Sequence, residues 1–350
     1  MKVSKKQPDA LNYKVTVDIA AADYAEPLHK RLNEYKRKAD IKGFRRGMAP
    51  LSLIQRLYGE QALYESVNGL VSEQLDQFIQ KEKIRVVGEP LPSEDQPQLS
   101  WKAGEDFTFK FDIAQTPEVN FTVGKEDKIP YYDINITVAE KKAQKEQLLQ
   151  QYGSLQEGTK AAEENQETYD KIFGKDVVTT PEQFEEKVTE RIKAGHEQEA
   201  NYRFGADVRK YFVEKAALEL PEAFLKRWLV YANEGKFTAE QVEKEFPAFI
   251  EDFKWQLVRG YLMQKFNLKV SQADIQAAAE SFVAYQYAMY GMAGVPDNLI
   301  KSSAENLLQD QNQYRRLEEQ CEDNLTIAKV REEVTLQTKK ISQDKFRELK

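Results

Sequence analysis

Apolar and polar side chains alternate along residues 11–19, the period of a strand with one buried face. The spacing then becomes helical. Asp23, with Glu26 three residues on, is an acidic form of the capping box, and the helix it opens would bury Leu28, Leu32, Tyr35 and Ala39. Pro50 suits a first helical position; Leu51, Ile54, Leu57 and Tyr58 line one side of that helix, and Gly59 is placed to end it. A further helix over 61–82 carries Leu63, Val67, Leu70, Val71, Leu75, Phe78 and Ile79 in register. A turn region over 88–97 leads to a strand over 107–113, with Phe107, Phe109, Phe111 and Ile113 on one face. Strands at both ends with helices between predict an α+β domain over 1–115.

From 116 the pattern loosens into a linker, in which Tyr132, Ile134, Ile136 and Val138 share one strand face, followed by a charged helix over 140–151. Residues 152–168 are small and polar, so 116–168 reads as an extended linker and a short connection. From 169 to 350 the spacing is helical throughout. Thr180 to Gln183 form a capping box with proline at the first position of a helix reaching about 217, striped by Phe184, Val188 and Ile192. A helix opening at 220–225 buries Phe224, Leu225 and Trp228, and Phe249, Phe253, Leu257 and Tyr261 mark a third stripe. Ser271 with Asp274 caps a fourth helix that runs into 282–290. A break over 291–296 precedes a long helix over 297–322, and 325–350 would pack back on the body.

Composition sharpens this picture. Of 350 residues, 41% are hydrophobic and 31% charged, and mean hydropathy is −0.68. That balance predicts two or three domains and an elongated, helix-rich body. A single cysteine, Cys321, rules out an internal disulfide framework and fits a reducing cytoplasm. Two distant histidines, His29 and His196, give no zinc site of ordinary spacing. The first residues lack the apolar core of a signal peptide, and no run of about 18 apolar residues offers a membrane span. The expectation is a cytoplasmic chain with no cofactor, no metal and no membrane partner. No Gly-x-Ser-x-Gly or phosphate-cradling loop occurs, and acidic pairs such as Glu318-Glu319 read as solvated faces.

The chemistry concentrates in residues 41–50. Gly43 and Gly47 free the backbone for positive φ, and between them stand Phe44, Arg45 and Arg46. Over 30–46 eight lysines and arginines, among them Lys38 and Lys42, face only Glu34 and Asp40, a net of +6 on a chain of net charge −7. Such a knot suits a phosphate-rich partner. The alternative is a polar turn with the ring tucked back onto the domain. A second stretch, Tyr285, Tyr287, Met289, Tyr290 and Met292, covers more than one side of a helix. It is either a thick core helix or an exposed soft surface able to bind promiscuously.

Gly-Phe-Arg-Arg-Gly-Met-Ala-Pro, set about forty residues from the start after a strand and a basic helix, resembles the ribosome-docking loop of bacterial trigger factors. The pattern there is Gly-Phe-Arg-x-Gly-x-x-Pro, and Met48 stands where many members have lysine. The resemblance implies an N-terminal α+β ribosome-docking domain and an all-helical C-terminal body with protruding arms. It implies docking to the exit-site protein and ribosomal RNA through Lys38, Lys42, Gly43, Phe44, Arg45, Arg46, Gly47 and Pro50. It further implies an ATP-independent chaperone that aids folding and export, with links to protein transport and cell division. Unfolded or nascent polypeptides would be held at Tyr285, Tyr287, Met289, Tyr290 and Met292, and the family leaves room for a weak homodimer. The family's inserted FKBP-type prolyl isomerase domain has no counterpart in 152–168, so no enzyme activity is expected of this chain. A helical RNA-binding ribosome factor without chaperone activity is the alternative, and the family's prolyl isomerase activity is a third.

Overall fold

The computed structural model describes residues 1–152, 164–233, 236–292 and 294–349. In chain order these form β1 (Lys2–Lys6), β2 (Asn12–Ile19), α1 (Ala21–Lys38), α2 (Leu51–Glu82), β3 (Val86–Pro92) and β4 (Phe107–Gln115). Next come β5 (Lys128–Asn135), α3 (Val138–Tyr152), α4 (Gln166–Phe173), α5 (Pro181–Ala216), α6 (Glu222–Ala232) and α7 (Ala239–Lys265). The last elements are α8 (Gln272–Met289), α9 (Asp297–Leu307), α10 (Gln311–Glu333), β6 (Thr335–Ser342) and α11 (Gln343–Arg347). Two compact units result, one of 1–118 with 218–251, the other of 119–217 with 252–350. The chain is α+β, with a sheet domain first and a largely helical second half.

The first unit is built on an antiparallel sheet of order β1-β2-β4-β3. Alternation along β2 turns Val15, Val17 and Ile19 inward, where they meet Phe107, Phe109 and Ile113 of β4 and the α2 stripe Leu63, Val67, Val71 and Leu75. Burying each such side chain is worth about 1.5–3 kcal/mol, so this layer carries most of the domain's stability. β1, whose lysine-rich sequence has too few apolar residues to read, is an edge strand on β2. Helix α6 joins the same unit on the β3 side. The Trp228 indole lies where a Cβ on Gly88 would stand within 2.6 Å of it, and Arg227 donates to the Asp112 carboxylate at 2.7 Å.

In the second unit β5 and β6 pair in parallel, Lys128 opposite Thr335 through Asn135 opposite Ser342. A two-stranded ladder is marginal by itself. Its support is Asp127, buried at the start of β5, which accepts from the Tyr211 hydroxyl at 2.7 Å, from Gly124 N–H at 3.0 Å and from Lys215. Helices α8, α9 and α10 share a separate cluster of Ile275, Ala279, Val283, Ala304 and Leu317. Among the described residues no helix is long and apolar enough to cross a membrane.

Several sequence expectations change in three dimensions. Gly59 ends nothing: α2 runs through it, since a helical glycine costs only about 1 kcal/mol against alanine and buried Ile54, Ala62 and Leu63 hold both sides. Leu57, expected on the apolar side, is exposed. Asp23 sits three residues inside its helix and reaches back to the Ala20 N–H at 2.9 Å, leaving Ala20 at the cap. The turn region over 88–97 contains most of β3, an edge strand with a bulge between Val87 and Leu91 that accommodates Gly88 and Pro90. In α7 the buried row is Val242, Phe246, Ile250, Trp255, Val258 and Leu262, with Phe249, Phe253, Leu257 and Tyr261 half-buried beside it. Both rows have helical spacing, and only the packing partner selects between them.

The helix expected over 297–322 is two helices, split at Asp310, whose carboxylate accepts from the N–H groups of Asn312 at 2.8 Å and Gln313 at 3.0 Å. Ile136 and Val138 leave the strand face shared by Tyr132 and Ile134, and Val138 opens α3 in solvent. The second half is thus not all helical, because β6 returns to pair with β5. Of the short connection over 152–168, residues 153–163 lie outside the described residues.

Candidate functional site

The loop after α1 consists of two tight turns in succession. Phe44 N–H bonds to the Ile41 carbonyl at 3.0 Å and Met48 N–H to the Arg45 carbonyl at 2.9 Å. Each turn has glycine at its third position, Gly43 at φ +91° and Gly47 at φ +82°, the place that type II turns reserve for a residue without Cβ. No atom would touch a Cβ at either glycine, so backbone conformation alone demands them. The loop stands on firm ground. Ala49 is buried with Leu32, Ile54 and Ala62, and Ile41, Leu51 and Tyr58 pack against that cluster. Tyr35 of α1 stacks on Tyr58 of α2 at 5.0 Å and 9°, while its hydroxyl donates to Glu65 at 2.7 Å. Pro50 sits just before α2, and its carbonyl accepts the first helical hydrogen bonds from Leu53 and Ile54.

Phe44 therefore has 42% of its surface in solvent, and Met48 has 70%. Lys38, Lys42, Arg45 and Arg46 are all exposed around it. Arg46 reaches only Asp40, at 4.0 Å and in full solvent, which holds it weakly. Among the described residues Lys36, Arg37, Lys38, Lys42 and Arg45 have no acidic partner within 4 Å. An exposed apolar ring thus has uncompensated Lys42 and Arg45 close to it in the chain. The sequence named the ring, the charges and both glycines; it did not show that Ala49 is buried and Ile41 packed beneath them.

The second candidate stretch closes α8. Gly291, at φ +74°, ends the helix: its N–H bonds to the Ala288 carbonyl at 3.0 Å, and Met292 N–H to the Tyr287 carbonyl at 3.0 Å. This is the Schellman arrangement, and it holds Met292 beside the last turn. Tyr285, Met289, Tyr290 and Met292 are 64%, 70%, 80% and 55% exposed. Tyr287 differs: it packs on the α8–α10 cluster, and its hydroxyl lies 3.0 Å from Ser303 Oγ. Four of the five residues form the surface and the fifth supports it. Leu299, in the first turn of α9, is also exposed and was not singled out from the sequence. From 285 to 300 only Asp297 carries a charge.

The chain is thus an α+β module with an exposed aromatic, basic loop, followed by a largely helical half that exposes a tyrosine and methionine helix end. Residues 1–148 match the family described as bacterial trigger factor protein, and residues 200–350 match the probable trigger factor C-terminal domain. The chain belongs to the trigger factor family. The trigger factor of Lachnoclostridium phytofermentans is 29% identical to it over 139 residues, a stretch that spans 39% of this chain and 32% of that relative. A solved structure from work on promiscuous substrate recognition in folding and assembly by the trigger factor chaperone shares the fold, with a TM-score of 0.56 and 13% identity. That match covers 95% of this chain and all of the other.

Proposed function

We propose that this chain is an ATP-independent holding chaperone that docks at the ribosome through residues 43–50 and holds unfolded polypeptide on exposed apolar helix surface. The observation that carries the reading is the loop: two type II turns on buried feet hold Phe44 in solvent, with exposed Lys42, Arg45 and Arg46 beside it in the chain and only Arg46 near an acid. Phe44 would fill a small apolar pocket on an exit-site protein, while Arg45, Arg46, Lys42 and Lys38 neutralise ribosomal RNA phosphate or acidic side chains. Tyr285, Met289, Tyr290 and Met292 would hold clients through scattered weak contacts, which favour fast release without an energy-consuming step. The setting is the cytoplasm.

The test is co-sedimentation with ribosomes across a salt series, beside suppression of aggregation of an unfolded client. Steep loss of pelleting with salt is expected, and a salt-independent signal would sink the electrostatic part. A ribosome factor without chaperone activity would pellet equally well but leave client aggregation unchanged; the uncharged apolar end of α8 favours the chaperone. We assign no prolyl isomerase activity to the chain. Eleven residues lie between the described end of α3 and residue 164, far short of a domain. A proline-containing tetrapeptide is expected to isomerise at its uncatalysed rate.

A further inference from the structure

Side chains that react readily with oxidants are scarce here, with five methionines and one cysteine in 350 residues. Cys321 is a poor responder: burial pushes its thiol up, Asp274 and Glu318 add to the shift, and the reactive thiolate is correspondingly rare. Met263 is half-buried in α7. Apart from Met1 at the start of the chain, the exposed methionines are Met48 in the docking loop and Met289 and Met292 at the end of α8. The last two stand four and seven residues beyond Tyr285, in a surface whose neighbours are uncharged and apolar.

We propose that Met289 and Met292 are a reversible oxidation site, whose co-substrate is a peroxide and whose oxidised state releases bound polypeptide. This rests on reading the α8 end as a client surface. With hydrogen peroxide, the thioether sulfur attacks one peroxide oxygen, an S–O bond forms and the O–O bond breaks. Sulfur loses two electrons to become the sulfoxide, and the other oxygen leaves as water after taking up the proton. A dithiol reductant acting through a sulfoxide reductase reverses the change. The sulfoxide is a strong acceptor that prefers water, so it weakens apolar capture there. The fold is unaffected, because both side chains are largely outside the core and Met292 is held through its backbone N–H. Met48 is equally exposed but belongs to the loop, so its oxidation leaves holding untouched.

The experiment titrates the full chain with hydrogen peroxide, maps sulfoxides by peptide mass spectrometry and measures suppression of client aggregation. Met289→Leu/Met292→Leu and Met48→Leu variants run in parallel. Sulfoxide is expected at residues 48, 289 and 292 well before 263. Relative to the same variant before oxidant, holding should fall several-fold in the unchanged chain and in Met48→Leu, stay level in the double leucine variant, and return after reductase treatment. Met263 oxidising alongside the others would overturn the proposal, as would undiminished holding by the fully oxidised chain. Equal loss in the double leucine variant would do the same. A chain that holds no client before any oxidant is added overturns the client-surface reading itself, which separates the two failures.

Discussion

The loop over 41–50 and the end of α8 expose aromatic and sulfur-bearing side chains to similar degrees, yet they are made in opposite ways. The loop is stiff and charged: two glycine-dependent turns, buried Ala49 below, and exposed cations next to Phe44, of which only Arg46 lies near an acid, Asp40. The helix end is uncharged and adaptable, four flexible or rotatable side chains on either side of a Schellman cap with Tyr287 braced underneath. A stiff charged projection suits one fixed, phosphate-rich partner, because preorganisation lowers the entropy cost of a single geometry. A soft uncharged surface suits many partners poorly defined in shape. On the proposed reading, one molecule would carry a specific contact and an unspecific one, separated by chemistry.

That contrast can be broken from either side. Phe44→Ala/Arg45→Ala/Arg46→Ala should have the largest effect, weakening ribosome binding about a hundredfold, since an anchor and two charge contacts are removed together. The log–log salt slope should flatten by about two, and client holding should persist; lost holding would show that the two regions do not act separately. Next is Asp127→Asn, expected to destabilise the second unit by about 2 kcal/mol at neutral pH while leaving every exposed side chain in place. Burial pushes the Asp127 carboxyl up, but Lys215, Tyr211 and the Gly124 N–H together hold it below the usual carboxylate range. A depressed carboxylate contributes stability above its unfolded value of 3.8 and loses it as pH falls through the folded one. The gap between Asp127→Asn and the unchanged chain should therefore close below about pH 4 in denaturant titrations. A gap that persists in strong acid contradicts the assignment.

Smaller effects sharpen the comparison. Tyr285→Ser/Met289→Ser/Tyr290→Ser/Met292→Ser should reduce client capture about tenfold with an unchanged melting temperature, since little core area is lost. A drop in melting temperature would place those side chains in the core. Met48→Lys is the mildest change: docking should tighten a few-fold and the salt slope steepen by about 0.9, the yield of one further phosphate contact. No change on adding that charge would place residue 48 outside the interface.

Much of the loop was legible because its chemistry is local. Two glycines four residues apart, the ring and the arginines between them, and a proline before a helix all act within ten residues, and turn geometry follows from φ preference alone. The end of α8 was half legible. Spacing said that one face could not bury all five residues, but whether Tyr285 or Tyr287 turned inward depended on Ser303 of α9, sixteen residues away. Elsewhere local signals misled. Gly59 has the right neighbours to end a helix, yet buried side chains on both sides outweigh its cost. Nothing near Asp310 in sequence weighs as much as the need of both Ala304 and Leu317 to reach the α8 cluster.

The sequence by itself determined the α+β beginning, the largely helical second half, and the glycine-bounded loop over 41–50 with its charge. These rest on periodicity, φ preference and net charge, which need no partner to be read. The tertiary structure alone decided that β6 returns to β5 across some two hundred residues, that 218–251 packs with the N-terminal sheet, and which row of α7 is buried. Each is a choice between surfaces that look alike along the chain, and only the surface they pack against separates them.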